Sequence, residues 1–184
     1  MEIGENSLRA QLVEEYRRKN PPRVDITLAF SLLKGGKSDD VIAVGTQMGV
    51  NNFIPMMCAR SVAKLGGKRA RERVRRWNEI CRQNAGFSLR SNVPNVQNIL
   101  KFDEILKLAD FDVKYMFYEE ERESWVELSV ADGLSVLALI GPEGGFEIEE
   151  VMKARQAGFE PVSLGPFLLK ADAAAMKAVS LIIG

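Results

Sequence analysis

Strand-like and helix-like segments alternate along this chain from Val24 to the C-terminus, and this alternation constrains the fold most. Short apolar and β-branched runs predict strands at residues 24–30, 52–57, 113–118, 135–140 and 161–164. Helical spacing and capping residues predict helices at residues 39–48, 68–84, 99–109, 147–157 and 172–183. Such alternation predicts an α/β domain, with a mostly parallel sheet flanked by helices.

The predicted strand at 135–140 is nearly continuously apolar, as is typical of a strand buried on both faces. It leads into Gly141-Pro142-Glu143-Gly144-Gly145, just before a predicted helix. In an open parallel sheet, ligands bind beyond the carboxyl ends of the strands, and glycines there let the backbone approach a ligand closely. The pattern alone leaves two interpretations open, a ligand-binding loop and a tight turn.

A second glycine-rich segment runs from Ser31 to Ser38 and also joins a predicted strand to a predicted helix. It resembles a phosphate-binding loop, but Ser31 stands where the first glycine of that motif belongs. No convincing acidic partner for magnesium follows a buried strand. A plain glycine-rich turn is therefore the better interpretation.

The two ends of the chain differ from the alternating part. Leu8, Leu12 and Tyr16 recur at helical spacing, which predicts a helix at 7–19 that ends at Pro21. Residues 1–23 would form a helical appendage and linker, and residues 24–184 the main domain. The predicted last helix is apolar nearly all round, so protein must cover it, and a second copy of the chain could do so.

Histidine is absent from all 184 residues, which removes the commonest general base and metal ligand. Hydrolytic triads and histidine-bearing metal sites are excluded, and no metal is expected. The two cysteines suggest neither a disulfide framework nor a zinc site. No apolar run is long enough to span a membrane and no secretory signal is apparent, so we expect a cytoplasmic protein.

The charges sum to zero, with 25 basic and 25 acidic residues, but they are segregated. Ten basic residues lie between Arg60 and Arg90 against two acidic ones, a distribution typical of a polyanion partner such as RNA. A solvated helix face is the alternative. The candidate RNA-binding residues are Lys68, Arg69, Arg71, Arg73, Arg75 and Arg76.

From about Val24 onward the chain resembles the 16S ribosomal RNA uridine-N3 methyltransferases, the RsmE family of the SPOUT superfamily. The stretch from Leu139 to Phe146 carries the resemblance, together with Val162-Ser163-Leu164-Gly165-Pro166 downstream. Ala157-Gly158-Phe159, Leu168-Leu169-Lys170, Trp77 with Ile80, Arg90 with Val93-Pro94, Gly49-Val50, Pro55 and Arg60-Ser61-Val62 also fall in the family's register.

The resemblance implies a deep trefoil knot near the C-terminus that holds S-adenosylmethionine. It also implies a homodimer packed through the knotted region, and ribosomal RNA as substrate. Carried over by position, the implied cofactor-binding residues are Tyr118, Ile140, Gly141, Pro142, Glu143, Gly144, Gly145, Leu164, Gly165, Pro166, Leu168 and Leu169.

Arg90 matches a family arginine of the active site and is the candidate catalytic residue; a phosphate-binding or surface arginine is the alternative.

Other substrate-side motifs depart from the family. The family's Gln-Lys-x-Thr-Glu-Leu-Gly reads Ala43-Val44-Gly45-Thr46-Gln47-Met48-Gly49, and its Arg-x-Glu-Thr-Ala reads Lys170-Ala171-Asp172-Ala173-Ala174. The family's preceding RNA-binding β-barrel domain has residues 1–23 in its place. Three functional interpretations therefore remain open: an active methyltransferase, a degenerate homologue that binds the cofactor or RNA without turnover, and a dimeric interaction protein.

Overall fold

A computed structural model of the chain describes residues 2–4, 7–9, 11, 23–62, 65–119 and 130–184. Near the N-terminus, strands β1 (Glu2–Gly4) and β2 (Ser7–Arg9) pair antiparallel. The helix predicted at 7–19 is therefore wrong over Ser7–Arg9, where pairing with β1 prevails over the helical spacing of the leucines. Residues 12–22 of that prediction lie outside the described residues.

The main part of the chain alternates strands and helices as predicted. In chain order, its elements are β3 (Asp25–Ser31), α1 (Lys37–Met48), β4 (Asn52–Met57), α2 (Gly67–Phe87), β5 (Asn95–Val96), β6 (Leu100–Lys101), α3 (Phe102–Ile105), β7 (Val113–Phe117), β8 (Ser135–Ile140), α4 (Ile148–Gln156), β9 (Glu160–Val162) and α5 (Ala171–Ile183).

A seven-stranded sheet with the order β5-β4-β3-β8-β7-β9 organises the domain, and β6 also pairs with β4. Every strand pair of this sheet is parallel, which confirms the α/β class. Ala29 pairs with Leu139, and Met116 pairs with the same leucine from the other side, so β8 lies inside the sheet. The carboxyl ends of β7, β8 and β9 therefore meet at one edge.

Alternating side chains of the strands form a core on each face of the sheet, as period-two patterning requires. On one face, Leu28 and Ala138 pack in a cluster with residues of α1, α2 and α5, including Trp77 of α2. On the other face, Ala29 and Leu139 pack with residues of α3 and α4. Helices thus flank both faces. None of the helices within the described ranges is long and apolar enough to cross a membrane.

One predicted helix differs clearly from the structure. The segment predicted as helical at 99–109 contains β6 and then only the four-residue α3. Leu100 pairs with Met56 at the edge of the sheet, and the Glu104 carboxylate accepts a hydrogen bond from the Lys101 N–H, which starts the helix late. Sheet pairing therefore overrides helical periodicity at the start of this segment.

Candidate functional site

A cavity of about 710 Å³ opens at the carboxyl ends of β7, β8 and β9. Three segments wall it: the end of β7 with residues 118–119, the loop after β8, and the loop between β9 and α5. The lining residues are Phe117, Tyr118, Glu119, Ile140, Gly141, Pro142, Glu143, Gly145, Ser163, Leu164, Gly165, Pro166, Phe167, Leu168, Leu169, Ala171 and Ala174. This is the edge at which the sequence predicts a ligand site.

Most of the predicted cofactor-binding residues come together around this cavity. Gly144 is the exception: it does not line the cavity, and its carbonyl oxygen accepts a hydrogen bond from Arg60 Nη1 at 2.9 Å. The lining residues that sequence reasoning missed are Phe117, Glu119, Ser163, Phe167, Ala171 and Ala174. Ala171 and Ala174 are three residues apart at the start of the last helix, a spacing that could have indicated a shared, small-residue face.

Two glycines give the loop at 141–145 its shape. The Gly145 N–H donates to the Pro142 carbonyl oxygen at 2.9 Å and closes a turn. Gly145 has φ of 70°, a conformation that side chains disfavour, and a Cβ there would overlap the Glu119 carboxylate. A Cβ on Gly141 would lie 3.0 Å from the ring of buried Phe146. The loop can therefore present bare backbone to the cavity.

The loop between β9 and α5 forms the opposite wall. The Ser163 hydroxyl accepts a hydrogen bond from the Gly165 N–H at 3.1 Å, and Gly165 adopts φ of 102°. Two large apolar side chains stand out at the cavity mouth, since Phe167 is 80% exposed and Leu168 is 84% exposed. Exposed apolar side chains beside a concave site are typical of a surface that a ligand or partner covers.

The glycine-rich turn after β3 supports the cavity from outside. The Lys34 N–H donates to Glu143 Oε1 at 3.1 Å, and the Leu33 N–H donates to the Ser38 hydroxyl at 3.0 Å. Lys37 pairs with Asp172 at 3.3 Å. Burial by itself would raise the pKa of Asp172, but backbone hydrogen bonds and Lys37 outweigh it, and the pKa is lowered. These internal partners favour the plain turn over a phosphate-binding loop.

Arg90 lies away from the cavity. Its Nη1 donates to the carbonyl oxygens of Thr46 and Val50, each at 2.7 Å. Thr46 lies in the last turn of α1 and Val50 lies just before β4. The Asn51 N–H donates to Ile26 O at the start of β3. Arg90 is thus at the amino edge of the sheet, separated from the carboxyl edge by the length of a six-residue strand, roughly 16 Å.

The six candidate RNA-binding residues lie on α2 but do not form one patch. Arg76 pairs with Asp39 at 2.8 Å, and the Arg73 guanidinium stacks over Trp77, with its carbon 5.5 Å from the ring centroid. Lys68, Arg69, Arg71 and Arg75 are exposed. Arg71 and Arg75 are four residues apart, so they share one helix face, and neither has an ion pair among the described residues.

The cavity suits a small organic cofactor such as S-adenosylmethionine. Its volume falls within the range of small-molecule sites, roughly 300–1,000 Å³. Its walls combine apolar side chains with glycine backbone, which can pack against and hydrogen-bond an adenine ring. Two carboxylates, Glu119 and Glu143, lie on its surface and could accompany a cationic group. The residues present therefore fit the cofactor that the family resemblance implies.

Known proteins resemble the chain along most of its length. A model of the RNA methyltransferase domain matches residues 19–183. The ribosomal RNA small subunit methyltransferase E of Bacillus subtilis is 34% identical over 180 residues, a match that covers 93% of this chain and 70% of that protein.

Solved structures of methyltransferases are also similar. The ribosomal RNA small subunit methyltransferase E of Neisseria gonorrhoeae, bound to S-adenosyl methionine, has a TM-score of 0.79 and 28% identity, covering 88% of this chain and 66% of that one. A Legionella pneumophila methyltransferase in complex with the same cofactor has a TM-score of 0.82 and 26% identity, covering 87% and 66%.

Proposed function

This chain belongs to the RNA methyltransferase family, and we propose that it methylates N3 of a uridine in ribosomal RNA. The coarser activity follows from the family: the protein is an S-adenosylmethionine-dependent ribosomal RNA methyltransferase. The observation that carries the proposal is the cavity at the carboxyl ends of β7, β8 and β9, where the family's glycine-rich loops meet. The alternative of a homologue without turnover is not favoured by these relatives.

The proposed methyl-donor pocket is formed by the end of β7, the loop at 141–145 and the loop at 163–169. When bound, S-adenosylmethionine supplies an electrophilic methyl group on a good leaving group. The chain's part is to orient the donor and to exclude water, for which apolar walls and a preorganised backbone are suited. A trefoil knot that threads these loops is part of the proposal, because it would fix their relative positions.

Methylation at uridine N3 also requires removal of the N3 proton, and negative charge then develops on the uracil oxygens. Without histidine, carboxylates are the proton acceptors that the cavity offers. Glu143 already accepts the Lys34 N–H through one oxygen, whereas the exposed Glu119 carboxylate lies against Gly145. We therefore favour Glu119 as the proton acceptor, with a cation stabilising the uracil oxygens.

Arg90 is our candidate for that cation, and its position implies a condition. Because Arg90 binds carbonyls at the amino edge, it can act only at the cavity of a second copy. A homodimer would meet this condition. Half-buried apolar residues of α5 support the dimer, because Met176, Leu181 and Ile183 keep part of their surface exposed in one chain.

The exposed cations of α2 are proposed to bind the phosphates of the RNA, with Arg71 and Arg75 as the principal contacts. Phosphate contacts of this kind position RNA without reading its sequence. A ribosomal RNA substrate and two buried free cysteines agree with a cytoplasmic location, which we include in the proposal.

Transfer of tritiated methyl groups tests the function directly. The purified chain is incubated with labelled S-adenosylmethionine and ribosomal RNA that lacks the modification, and nucleoside digestion then identifies the product. We expect labelled 3-methyluridine. Binding of the cofactor without incorporation of label would contradict the activity, and label in another nucleoside would contradict the N3 assignment alone.

A further inference from the structure

One arginine outside the cavity contacts the loop at 141–145 from its outer side. Arg60, in the turn after β4, donates from Nη1 to the Gly144 carbonyl oxygen at 2.9 Å. Its Nε lies 3.7 Å from Glu147 Oε1, and Glu147 is the N-terminal cap of α4. Arg60 therefore bridges the loop and the helix that follows it.

The turn that carries Arg60 is itself held on both sides. The Ala59 N–H donates to Oε1 of buried Glu150 at 2.9 Å, and Glu150 Oε2 accepts the Glu147 N–H at 3.0 Å. The Ser61 hydroxyl accepts the Cys58 N–H at 2.7 Å. These contacts tie the backbone on either side of Arg60 to the first turn of α4 and to the end of β4.

The same turn is joined to the centre of the sheet. Ser31, the last residue of β3, shares a 2.8 Å hydrogen bond between its hydroxyl and that of Ser61. Both serines are buried. The backbone around Arg60 is therefore held by hydrogen bonds to β3, β4 and α4 together, and these bonds restrict where its guanidinium can lie.

The loop that Arg60 contacts needs such support. It contains three glycines, which lose the most conformational freedom on ordering, and its inner side lines the cavity at Gly141, Pro142 and Gly145. A site that is ordered before its ligand arrives binds it more tightly, because less freedom is lost on binding. A charged donor to a backbone carbonyl is among the stronger hydrogen bonds available for this purpose.

We propose that Arg60 is a positioning residue that holds the outer side of the 141–145 loop, so that its inner side keeps the shape of the methyl-donor pocket. This inference rests on the proposed function of the cavity. The hydrogen bond to Gly144 carries the effect because it is the contact that reaches the loop, whereas the ion pair with Glu147 reaches only the start of α4. Both contacts are exposed, so each contributes less than a buried contact would. Arg60 itself does not line the cavity.

Calorimetric titration with S-adenosylmethionine, together with transfer kinetics, tests this role in Arg60→Ala, Arg60→Lys and the control Arg23→Ala. Arg23 forms an exposed ion pair with Asp132 and does not line the cavity, so its loss removes the same charge elsewhere. We expect Arg60→Ala to weaken cofactor affinity about tenfold, while kcat at saturating cofactor and the KM for RNA stay within about twofold. Arg60→Lys should recover most of the affinity, because an ammonium can still donate to the Gly144 carbonyl.

Unchanged affinity in Arg60→Ala, with binding intact in the wild-type chain, would overturn the inference and leave the proposed function standing. A rise in the KM for RNA instead of cofactor would also overturn it, because Arg60 would then be a substrate contact. No binding in the folded wild-type chain would overturn the donor pocket itself, and the inference with it. Thermal denaturation of each variant checks that all the compared proteins are folded.

Discussion

The two edges of the sheet carry different kinds of polar structure. At the carboxyl edge, glycine-rich loops leave a cavity of about 710 Å³ whose walls include bare backbone and exposed apolar side chains. At the amino edge, side chains close the structure: Arg90 binds the carbonyl oxygens of Thr46 and Val50, and Asp112 accepts hydrogen bonds from Ser135. The carboxyl edge is open to a ligand, whereas at the amino edge side chains of the protein form hydrogen bonds with the backbone.

Under the proposed function, this difference would separate cofactor binding from catalysis within one chain. The residues proposed to hold the methyl donor and the arginine proposed to assist transfer lie at opposite edges of the sheet, separated by the length of a six-residue strand, roughly 16 Å. A single chain can thus be complete for cofactor binding and incomplete for transfer. The following changes test that separation, since each should affect one edge and spare the other.

Replacing Arg90 by alanine should give the largest effect. We expect methyl transfer to fall about a hundredfold to a thousandfold, as when a group that stabilises developing charge is removed. Cofactor affinity should stay within twofold, because Arg90 does not line the cavity of its own chain and is proposed to contact the uracil, not the methyl donor, at the cavity of a second copy. Loss of its bonds to Thr46 and Val50 should also lower the free energy of unfolding by about 2 kcal/mol, measured by urea denaturation.

A mixing experiment then decides how Arg90 acts. Arg90→Ala chains mixed with chains that carry an intact Arg90 but a blocked cavity should regain transfer, because one shared site of the mixed dimer is complete. A loss of transfer no greater than the loss of folded protein in Arg90→Ala would show that the residue is only structural.

Replacing Gly141 by alanine should give the next largest effect. The new Cβ would lie 3.0 Å from the Phe146 ring and displace the loop. We expect affinity for S-adenosylmethionine to fall about tenfold to a hundredfold, by calorimetry. Gly45→Ala is a matched control, because its Cβ would lie 3.0 Å from the Phe53 ring, away from the cavity. Equal losses of affinity in both variants would show a general effect of destabilisation.

Removing Arg71 or Arg75 should have a smaller effect that depends on salt. Each alanine variant should reduce the slope of log affinity for RNA against log salt concentration by about 0.7–0.9, because one phosphate contact is lost. Filter binding over a range of salt concentrations measures the slope. The control Arg23→Ala should leave it unchanged. Identical slopes in all the proteins would place the RNA elsewhere on the molecule.

Replacing Asp112 by asparagine should give the smallest effect, confined to stability. Hydrogen bonds from the Ser135 hydroxyl and N–H lower the pKa of Asp112. Because the folded pKa lies below the unfolded value, the charged form stabilises the fold above about pH 4, and that contribution is lost as pH falls through the folded pKa. Thermal melts should show a flatter dependence below pH 4 in Asp112→Asn. Weaker cofactor binding in this variant would show that the amino edge affects binding at the carboxyl edge, and would contradict their separation.

The sequence predicted the parallel sheet because it depends on local patterns, whereas the pattern at 141–145 left a ligand-binding loop and a tight turn open, and the family resemblance favoured the first. The apolar run of β8 and the glycines at 141 and 145 identify a buried strand followed by an exposed backbone loop. Positions that depend on distant partners could not be predicted. Leu100 pairs at the sheet edge instead of starting a helix, and Ser7–Arg9 pairs with the N-terminal strand. The location of Arg90 follows from how α2 packs against α1, which no local pattern shows.

Calorimetric titration of the wild-type chain with S-adenosylmethionine tests the central claim most directly, because the proposed donor pocket is lined by residues of one chain. We predict one cofactor molecule bound per chain, with affinity that survives Arg90→Ala and is weakened by Gly141→Ala. A folded wild-type chain that binds no cofactor, or one whose affinity is lost in Arg90→Ala and kept in Gly141→Ala, would contradict the assignment of the carboxyl edge.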